Sequence, residues 1–339
     1  MTGKLFIDGQ DAFSSFGVYI TKGSYKELLT YPALKEVQNN DWAEEDGIEV
    51  DLSNPTLDTR EFNISFASLN SGHNQLVQLL SDGAYHSFDF RELEKVYVLR
   101  LVSQPNFRKI RDLSAFSFRF ANDFPFSEYY EYEEPQAVAQ TATGYLLDGI
   151  DLSKYGIIVL KGSEQEVLKL PTVKKNLLTN LNNEHGAFYD DEWVKFQAKD
   201  VKINCLMRAS NLNEFWRNYN ALLYDLIRKN ERGLYVSNVG NTYPCYYKNC
   251  SGAKFAIIDG RIWFEFSLTF VFTTLGIKDG ESNTYYLLAT EDDILVCTED
   301  GRFFIDLEGS VKVLQKLLSS EDDKLILTEQ NNYFINLQI

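Results

Sequence analysis

Apolar and polar residues alternate with period two along several short stretches of the chain. Phe62-Asn63-Ile64-Ser65-Phe66 and Val201-Lys202-Ile203-Asn204-Cys205 each place apolar side chains on one face and polar ones on the other, the pattern of a half-buried antiparallel strand. Two longer runs, Ser114–Phe120 and Trp263–Phe270, repeat the alternation with rings, and stripes such as Phe116/Phe118/Phe120 read as sheet core. Shorter strands are predicted at Lys4–Ile7 and Tyr145–Leu147, each closed by an Asp-Gly turn. The period lengthens to that of a helix between Leu212 and Arg228, where Leu212, Phe215, Trp216, Tyr219, Leu222, Leu223 and Leu226 recur at helical spacing. Asn211, with Glu214 three positions later, supplies a capping box, with Asn in place of the usual Ser or Thr. The face Leu212/Phe215/Trp216/Tyr219/Leu223 is expected to pack on the sheet of its own half. A shorter helix is predicted over Asn74–Leu80, closed by Gly83.

These elements occur twice in the same order. Asp8-Gly9, Phe16-Gly17-Val18, Lys22-Gly23-Ser24, Glu27-Leu28-Leu29 and Pro32 answer to Asp148-Gly149, Tyr155-Gly156-Ile157, Lys161-Gly162-Ser163, Glu166-Val167-Leu168 and Pro171. From the Phe16/Tyr155 pair onward the spacing is a constant 139 residues, and it holds through Phe62/Val201, Ile64/Ile203 and Phe66/Cys205. A period this long implies two tandem domains rather than a solenoid, whose repeats run about 20 to 50 residues. The expected organisation is a first domain over 1–126, an acidic Tyr-rich linker over 127–143, a second domain over 144–275 and a distinct unit over 276–339. That last segment is strongly acidic and carries Ala-Thr-Glu, Cys-Thr-Glu and Leu-Thr-Glu motifs between alternating apolar residues, which read as short β-hairpins, with a short amphipathic helix at Ser310–Ser319.

Composition narrows the functions available. At 339 residues two or three domains are expected. A formal net charge of -16 argues against a nucleic-acid reader, which needs a basic stripe, and against an anionic membrane surface. The apolar runs are too short to span a bilayer, and the N-terminus enters a strand without a signal-peptide core, so synthesis in the cytoplasm is expected. The four cysteines (Cys205, Cys245, Cys250, Cys297) fit neither a disulfide framework nor a zinc site and read as ordinary reduced thiols.

The candidate chemistry is sparse. His73, His86 and His185 lie far apart and read as surface histidines, not as a metal site, which needs three or four convergent ligands. Glu44-Glu45-Asp46 and Asp190-Asp191-Glu192 fall at loop positions and read as solvated acidic turns rather than as a glycosidase pair. No phosphate loop and no Gly-x-Ser-x-Gly elbow is present, and the recurring Asp-Gly and Lys-Gly-Ser are accounted for by turn geometry. Neither a cofactor, a metal nor an enzymatic activity is expected. Tyr129, Tyr130 and Tyr132 in the linker are the candidate interaction residues, either as a sugar platform or as linker packing or an intersubunit contact.

The succession of short strand, Asp-Gly turn, Phe-Gly-Val strand, long excursion, alternating strand, helix and closing strands resembles the tail-tube domain shared by phage tail tubes, distal tail proteins and baseplate hubs. The opening Leu5-Phe6-Ile7-Asp8-Gly9 through Phe16-Gly17-Val18 resembles the start of distal tail proteins of long-tailed phages, and the resemblance covers residues 1 to about 275. The Thr-Glu-Asp hairpins are similar to small β appendages of tail-tip proteins. The fold it implies is mainly β with α: two tandem β-sandwich or split-barrel domains, each with one flanking helix, plus the C-terminal hairpin unit. The function it implies is a virion or prophage structural protein at the tail tip, made in the bacterial host cytoplasm. Its partners would be other tail proteins and copies of itself in a ring. That ring would be a trimer whose two domains per chain give six similar positions, or a hexamer, with DNA only passing through its lumen. The departure from the family is the duplication, since a typical distal tail protein has one such domain per chain. The other function class is a carbohydrate-binding β module of a bacterial or phage surface protein, touching glycans through the Tyr-rich linker or the C-terminal unit.

Overall fold

Two antiparallel sheets with one and the same strand order carry the structure, a computed structural model. It describes residues 2–21, 23–69, 72–126, 131–138, 140–175, 178–179, 182–183, 185–186, 188–189, 194–274 and 278–279. The first half opens with β1 (Leu5–Ile7), β2 (Gln10–Asp11), helix α1 (Ala12–Phe16), β3 (Val18–Ile20) and helix α2 (Tyr25–Leu28). An excursion follows, holding the two-residue strands β4 (Asn39–Asn40) and β5 (Glu49–Val50). The chain returns as β6 (Arg60–Leu69), α3 (Gly72–Leu80), β7 (Tyr85–Phe90), β8 (Lys95–Ile110) and β9 (Leu113–Asn122).

The second half runs β10 (Tyr145–Leu147), β11 (Ile150–Asp151), a 3-10 turn at Leu152–Tyr155, β12 (Ile157–Val159) and α4 (Ser163–Leu168). Its excursion holds β13 (Leu178–Thr179) and β14 (Phe188–Tyr189). Then come β15 (Lys199–Ala209), α5 (Leu212–Leu226), β16 (Arg232–Val236), β17 (Asn241–Ile258) and β18 (Arg261–Phe272), with β19 (Lys278–Asp279) added to the edge of β17. The first sheet has the order β2-β1-β7-β8-β9-β6-β3 and the second β11-β10-β16-β17-β18-β15-β12, so each strand of one has a counterpart at the same place in the other. The fold is a β-rich α+β fold with tandem antiparallel sheets. The hairpins and the helix expected after residue 280 lie outside the described residues.

The period-two runs make the centre of each sheet. In β6 the buried Phe62, Ile64 and Phe66 stand opposite Phe120, Phe118 and Phe116 of β9. In β15 the buried Val201, Ile203, Cys205 and Met207 stand opposite Phe270, Leu268, Phe266 and Phe264 of β18. Cross-strand pairs of rings and aliphatics on one pleated face are the stabilising unit of such a sheet. β8 and β17 each lose register twice, the first time at the same place, between Leu101 and Ser103 and between Tyr247 and Asn249.

The shared turns have shared causes. Asp8 and Asp148 (φ 49° each) with Gly9 and Gly149 (φ 78° and 82°) form left-handed two-residue turns suited to tight hairpins. Ser24 and Ser163 do more than turn the chain. The Ser24 hydroxyl donates to the Ser65 carbonyl (3.1 Å), and the Ser163 hydroxyl accepts from the Asn204 N–H (2.9 Å), so each tethers the excursion to the central strand. Helix α3 lies against β6 and α5 against β15, and the short α2 and α4 pack on the same two strands. Helices of four and six residues carry too few apolar repeats to be seen in sequence. Residues Met1–Gly280 form one compact unit, and a single cluster of buried apolar residues runs through both halves.

Candidate interaction surfaces

The junction between the halves is built by the first excursion. Leu29 and Tyr31, directly after α2, are 0% and 2% exposed, because they insert beneath α5 of the second half. The Tyr31 ring stacks on Tyr219 at 4.1 Å and meets the edge of Phe266 at 5.5 Å. Each phenol of the stacked pair donates to a main-chain carbonyl of the other half: Tyr31 to Tyr219 (3.3 Å) and Tyr219 to Leu29 (3.2 Å). Burial raises both phenols above their usual pKa, so these donors stay protonated. Tyr247 donates to the Pro32 carbonyl (2.9 Å), and Leu34 N–H to the Lys248 carbonyl on the edge of β17 (3.0 Å).

Further along, Gly47 N–H donates to the Phe196 carbonyl and Ile48 N–H to the Thr273 carbonyl, both at 2.8 Å. At Gly47 (φ 74°) an added Cβ would fall 1.6 Å from the Thr273 oxygen, so the backbones touch only because the residue is glycine. Lys174 is buried with its ammonium donating to the carbonyls of Trp42 (2.6 Å) and Gly47 (2.8 Å) and paired with Asp41 (2.5 Å). The donors Tyr31, Tyr219, Tyr247, Lys174 and the Leu34, Gly47 and Ile48 N–H groups thus each have an acceptor, as buried polar groups require.

Helix α5 packs on the sheet of its own half, as expected, and also reaches the first half. Phe215 lies within 5.8 Å of Phe264 and Leu222 is fully buried, but the Trp216 indole donates to the Leu93 carbonyl of the first half (2.7 Å) with the Lys95 ammonium 5.1 Å from its ring. Asn211 caps the helix by accepting from Glu214 N–H (2.9 Å). The Glu214 carboxylate does not return to Asn211; it accepts from Ser210 N–H and Val138 N–H, both at 2.8 Å, and so ties the linker to the helix.

Tyr129 and Tyr130 lie outside the described residues. Tyr132 is half-buried: its ring packs on Tyr224 (4.8 Å) under the Arg228 guanidinium (5.3 Å), and its hydroxyl donates to Asp225 (3.2 Å). Burial first, then the Asp225 charge, lifts its phenol above the usual pKa. The same carboxylate accepts from the buried Tyr155 (2.5 Å) and pairs with Arg228 (2.6 Å). Asp225 between Leu222 and Leu226 on the apolar side of α5 was the sequence signal for this cluster. It fastens residues 131–138 along α5, with Gln136 N–H donating to Asn218 (2.9 Å).

The remaining candidates are placed as follows. His86 is buried, not on the surface, with its two ring nitrogens 2.6 Å from Asp8 and 3.1 Å from Asp82. Burial raises the Asp8 carboxyl, while hydrogen bonds from His86 and Ser87 outweigh it and hold the carboxyl below its ordinary pKa. In the second half Arg232 takes the place of His86 and pairs with Asp148 at 2.7 Å. His73 is half-buried against Phe107 (4.4 Å), and His185 is exposed. Among the described residues no group of His, Cys, Asp and Glu could hold a metal ion. Cys205 and Cys245 are buried and their thiols pushed up by burial; Cys250 is pushed up to about 12 by the same cause. Glu44 and Glu45 are exposed, and the half-buried Asp46 accepts from Phe196 N–H (2.8 Å); Asp190, Asp191 and Glu192 lie outside the described residues. A groove of about 1120 Å³ lies between β1/β3 and the tip of the β17–β18 hairpin, with Phe13, Val18 and Phe255 among its walls and the paired Lys4 and Glu92 at its rim. No helix among the described residues is long and apolar enough to cross a membrane.

The arrangement defines a class: a β-rich chain in which one sheet architecture occurs twice and the first copy is docked onto the second. No family model and no curated protein matches the chain. Among solved structures, the chain is similar to the Dit protein (gp 19.1) of SPP1, described as a paradigm of the hub adsorption apparatus in phages infecting Gram-positive bacteria. The identity is 9% and the TM-score 0.29, over 79% of this chain and 97% of that one.

Proposed function

We propose that this chain is a structural protein of a phage or prophage tail tip, closing with copies of itself into a ring that joins the tail tube to the tip. The observation that carries the reading is the docking of one sheet unit onto a second of identical strand order, within one chain and through specific hydrogen bonds. A unit that binds its own likeness head to tail generates a ring when the rotation closes. The resemblance of residues 1 to about 275 to tail-tube domains gives the ring its place. The repeat of 139 residues descends, in this reading, from duplication of one such domain, so a trimer offers six similar positions; a hexamer forms if only one half of each chain lines the channel. The net charge of -16 suits a lumen through which DNA slides without sticking. The protein has no hydrolase or transferase activity of its own. The test is electron microscopy of assembled tails carrying a label on this chain. Label at the tail tip is expected; label elsewhere, or absent from particles, removes the reading and favours the carbohydrate-binding module.

A further inference from the structure

The two excursions are the same device in two environments. Leu34 bridges Leu57 and Val173 bridges Phe196, 139 residues apart on both sides, and the flanking hydrogen bonds repeat: Lys35 to Thr56 and Asp58 to Ala33 in one, Lys174 to Lys195 and Gln197 to Thr172 in the other. Their burial differs sharply. Leu29 and Tyr31 are 0% and 2% exposed, while their counterparts Leu168 and Leu170 are 57% and 71% exposed. Leu34 N–H has the Lys248 carbonyl; Val173 N–H makes no hydrogen bond with the described residues. Gly47 has the Thr273 carbonyl against it; its counterpart Gly186 (φ 89°) has nothing among the described residues within 4 Å of its Cβ position. The second excursion is thus packed against the first around Lys174 and Phe196, while among the described residues Leu168, Leu170 and the Gly186 position stay uncovered.

The first half keeps the strand-edge part of that receptor, with Leu80 in the place of Tyr219. Leu101 opposes Phe120 as Tyr247 opposes Phe270, and Phe120 and Phe270 oppose the equivalent Phe62 and Val201, so Val102 is the counterpart of Lys248. β16 covers β17 only as far as Cys245, and past it Leu34 occupies the strand edge. β7 covers β8 only as far as Arg100, and past it no described strand lies on that edge. Along the open stretch Val102, Phe107 and Ile110 are 39%, 51% and 53% exposed. An open strand edge with exposed apolar side chains invites pairing with another chain.

We infer that the second excursion of one copy docks on the first half of the next copy, repeating between chains the junction seen within the chain. Leu168 and Leu170 take the places of Leu29 and Tyr31, and Val173 N–H donates to the Val102 carbonyl as Leu34 N–H donates to Lys248. The inference rests on the ring proposed above and names its contact surface: the partner is a second copy of this chain. The junction is heterologous, so a single repeated rotation builds the assembly.

The test mixes two variants of the full chain, one carrying Val173→Cys and the other Val102→Cys, under mild oxidation. A mixed disulfide dimer is expected, at least tenfold above a control pair in which the second variant is Asn238→Cys. Adding Gly186→Val to the first variant should return the yield to the control level while leaving its melting temperature within a few degrees of the parent. Control-level dimer from the Val173→Cys/Val102→Cys pair overturns the junction. If sedimentation nevertheless finds a defined oligomer, the ring survives with another interface; if it finds none, both fall. A chain carrying both substitutions should stop laddering at a small fixed number of copies. An open-ended ladder supports the junction and removes the closed ring.

Discussion

Leu29 and Leu168 occupy the same place in two copies of one architecture, yet the first is core and the second surface. The difference lies in what stands opposite each. Helix α5 runs 15 residues and presents Trp216 and Tyr219 to the first half, where the counterpart α3 runs nine and ends at Leu80. At the repeat spacing the places of Trp216 and Tyr219 fall on Val77 and Leu80, which carry no ring for a neighbour to stack on. The first excursion is consumed in holding the chain together; the second leaves Leu168 and Leu170 exposed at the matching places.

The sharpest way to break the comparison is at the paired glycines. Gly47→Ala drives a Cβ into the Thr273 carbonyl and should cost more than about 4 kcal/mol in urea unfolding, the range reserved for named steric causes. Gly186→Ala meets only the left-handed backbone penalty of about 1–2 kcal/mol. Equal losses at the two sites would mean that the excursions are not in different environments. Tyr31→Ala should destabilise by about 3–5 kcal/mol as a buried ring is removed. Leu170→Ala, at the matching position, should stay within about 0.5 kcal/mol in the isolated chain.

Smaller effects sharpen the likeness instead. Ser24→Ala and Ser163→Ala each remove a tether to a central strand and should each cost about 1 kcal/mol, as measured by the denaturation midpoint at constant slope. A loss in one half alone would separate the two turns. The acid side of the first half offers a titration. The folded Asp8 pKa lies below its unfolded value of about 3.9, so the ionised carboxylate stabilises the fold above that pH, and the contribution is lost as pH falls through the folded value. Asp8→Asn should therefore cost about 1 kcal/mol at pH 7, a modest figure because the side chain is partly exposed, with the gap to the parent closing below about pH 4. A gap that persists at pH 3 would assign the effect to the turn rather than to the charge.

The sheets were legible because alternation is a local signal: Phe62-Asn63-Ile64 already says which face is buried. The repeat spacing of 139 located counterparts that the two sheets place at matching positions. Burial in the excursions was not legible, since Leu28-Leu29 and Val167-Leu168 are equally apolar and only the surface opposite distinguishes them. His86 read as a surface residue because Asp8 lies far from it in sequence, and the strand pairing of β1 with β7 brings them together. Tyr132 read as a candidate interaction residue, as a sugar platform, linker packing or an intersubunit contact, and its partners on α5 lie too far away in sequence to choose among these.

The most direct test of the account is a cryo-electron-microscopy structure of the assembled protein. The account predicts that the junction between copies superposes on the junction within each chain, with Leu168 and Leu170 buried and Val173 paired to Val102 of the next copy. Copies joined through any other surface, with Leu170 still open to solvent, would contradict it.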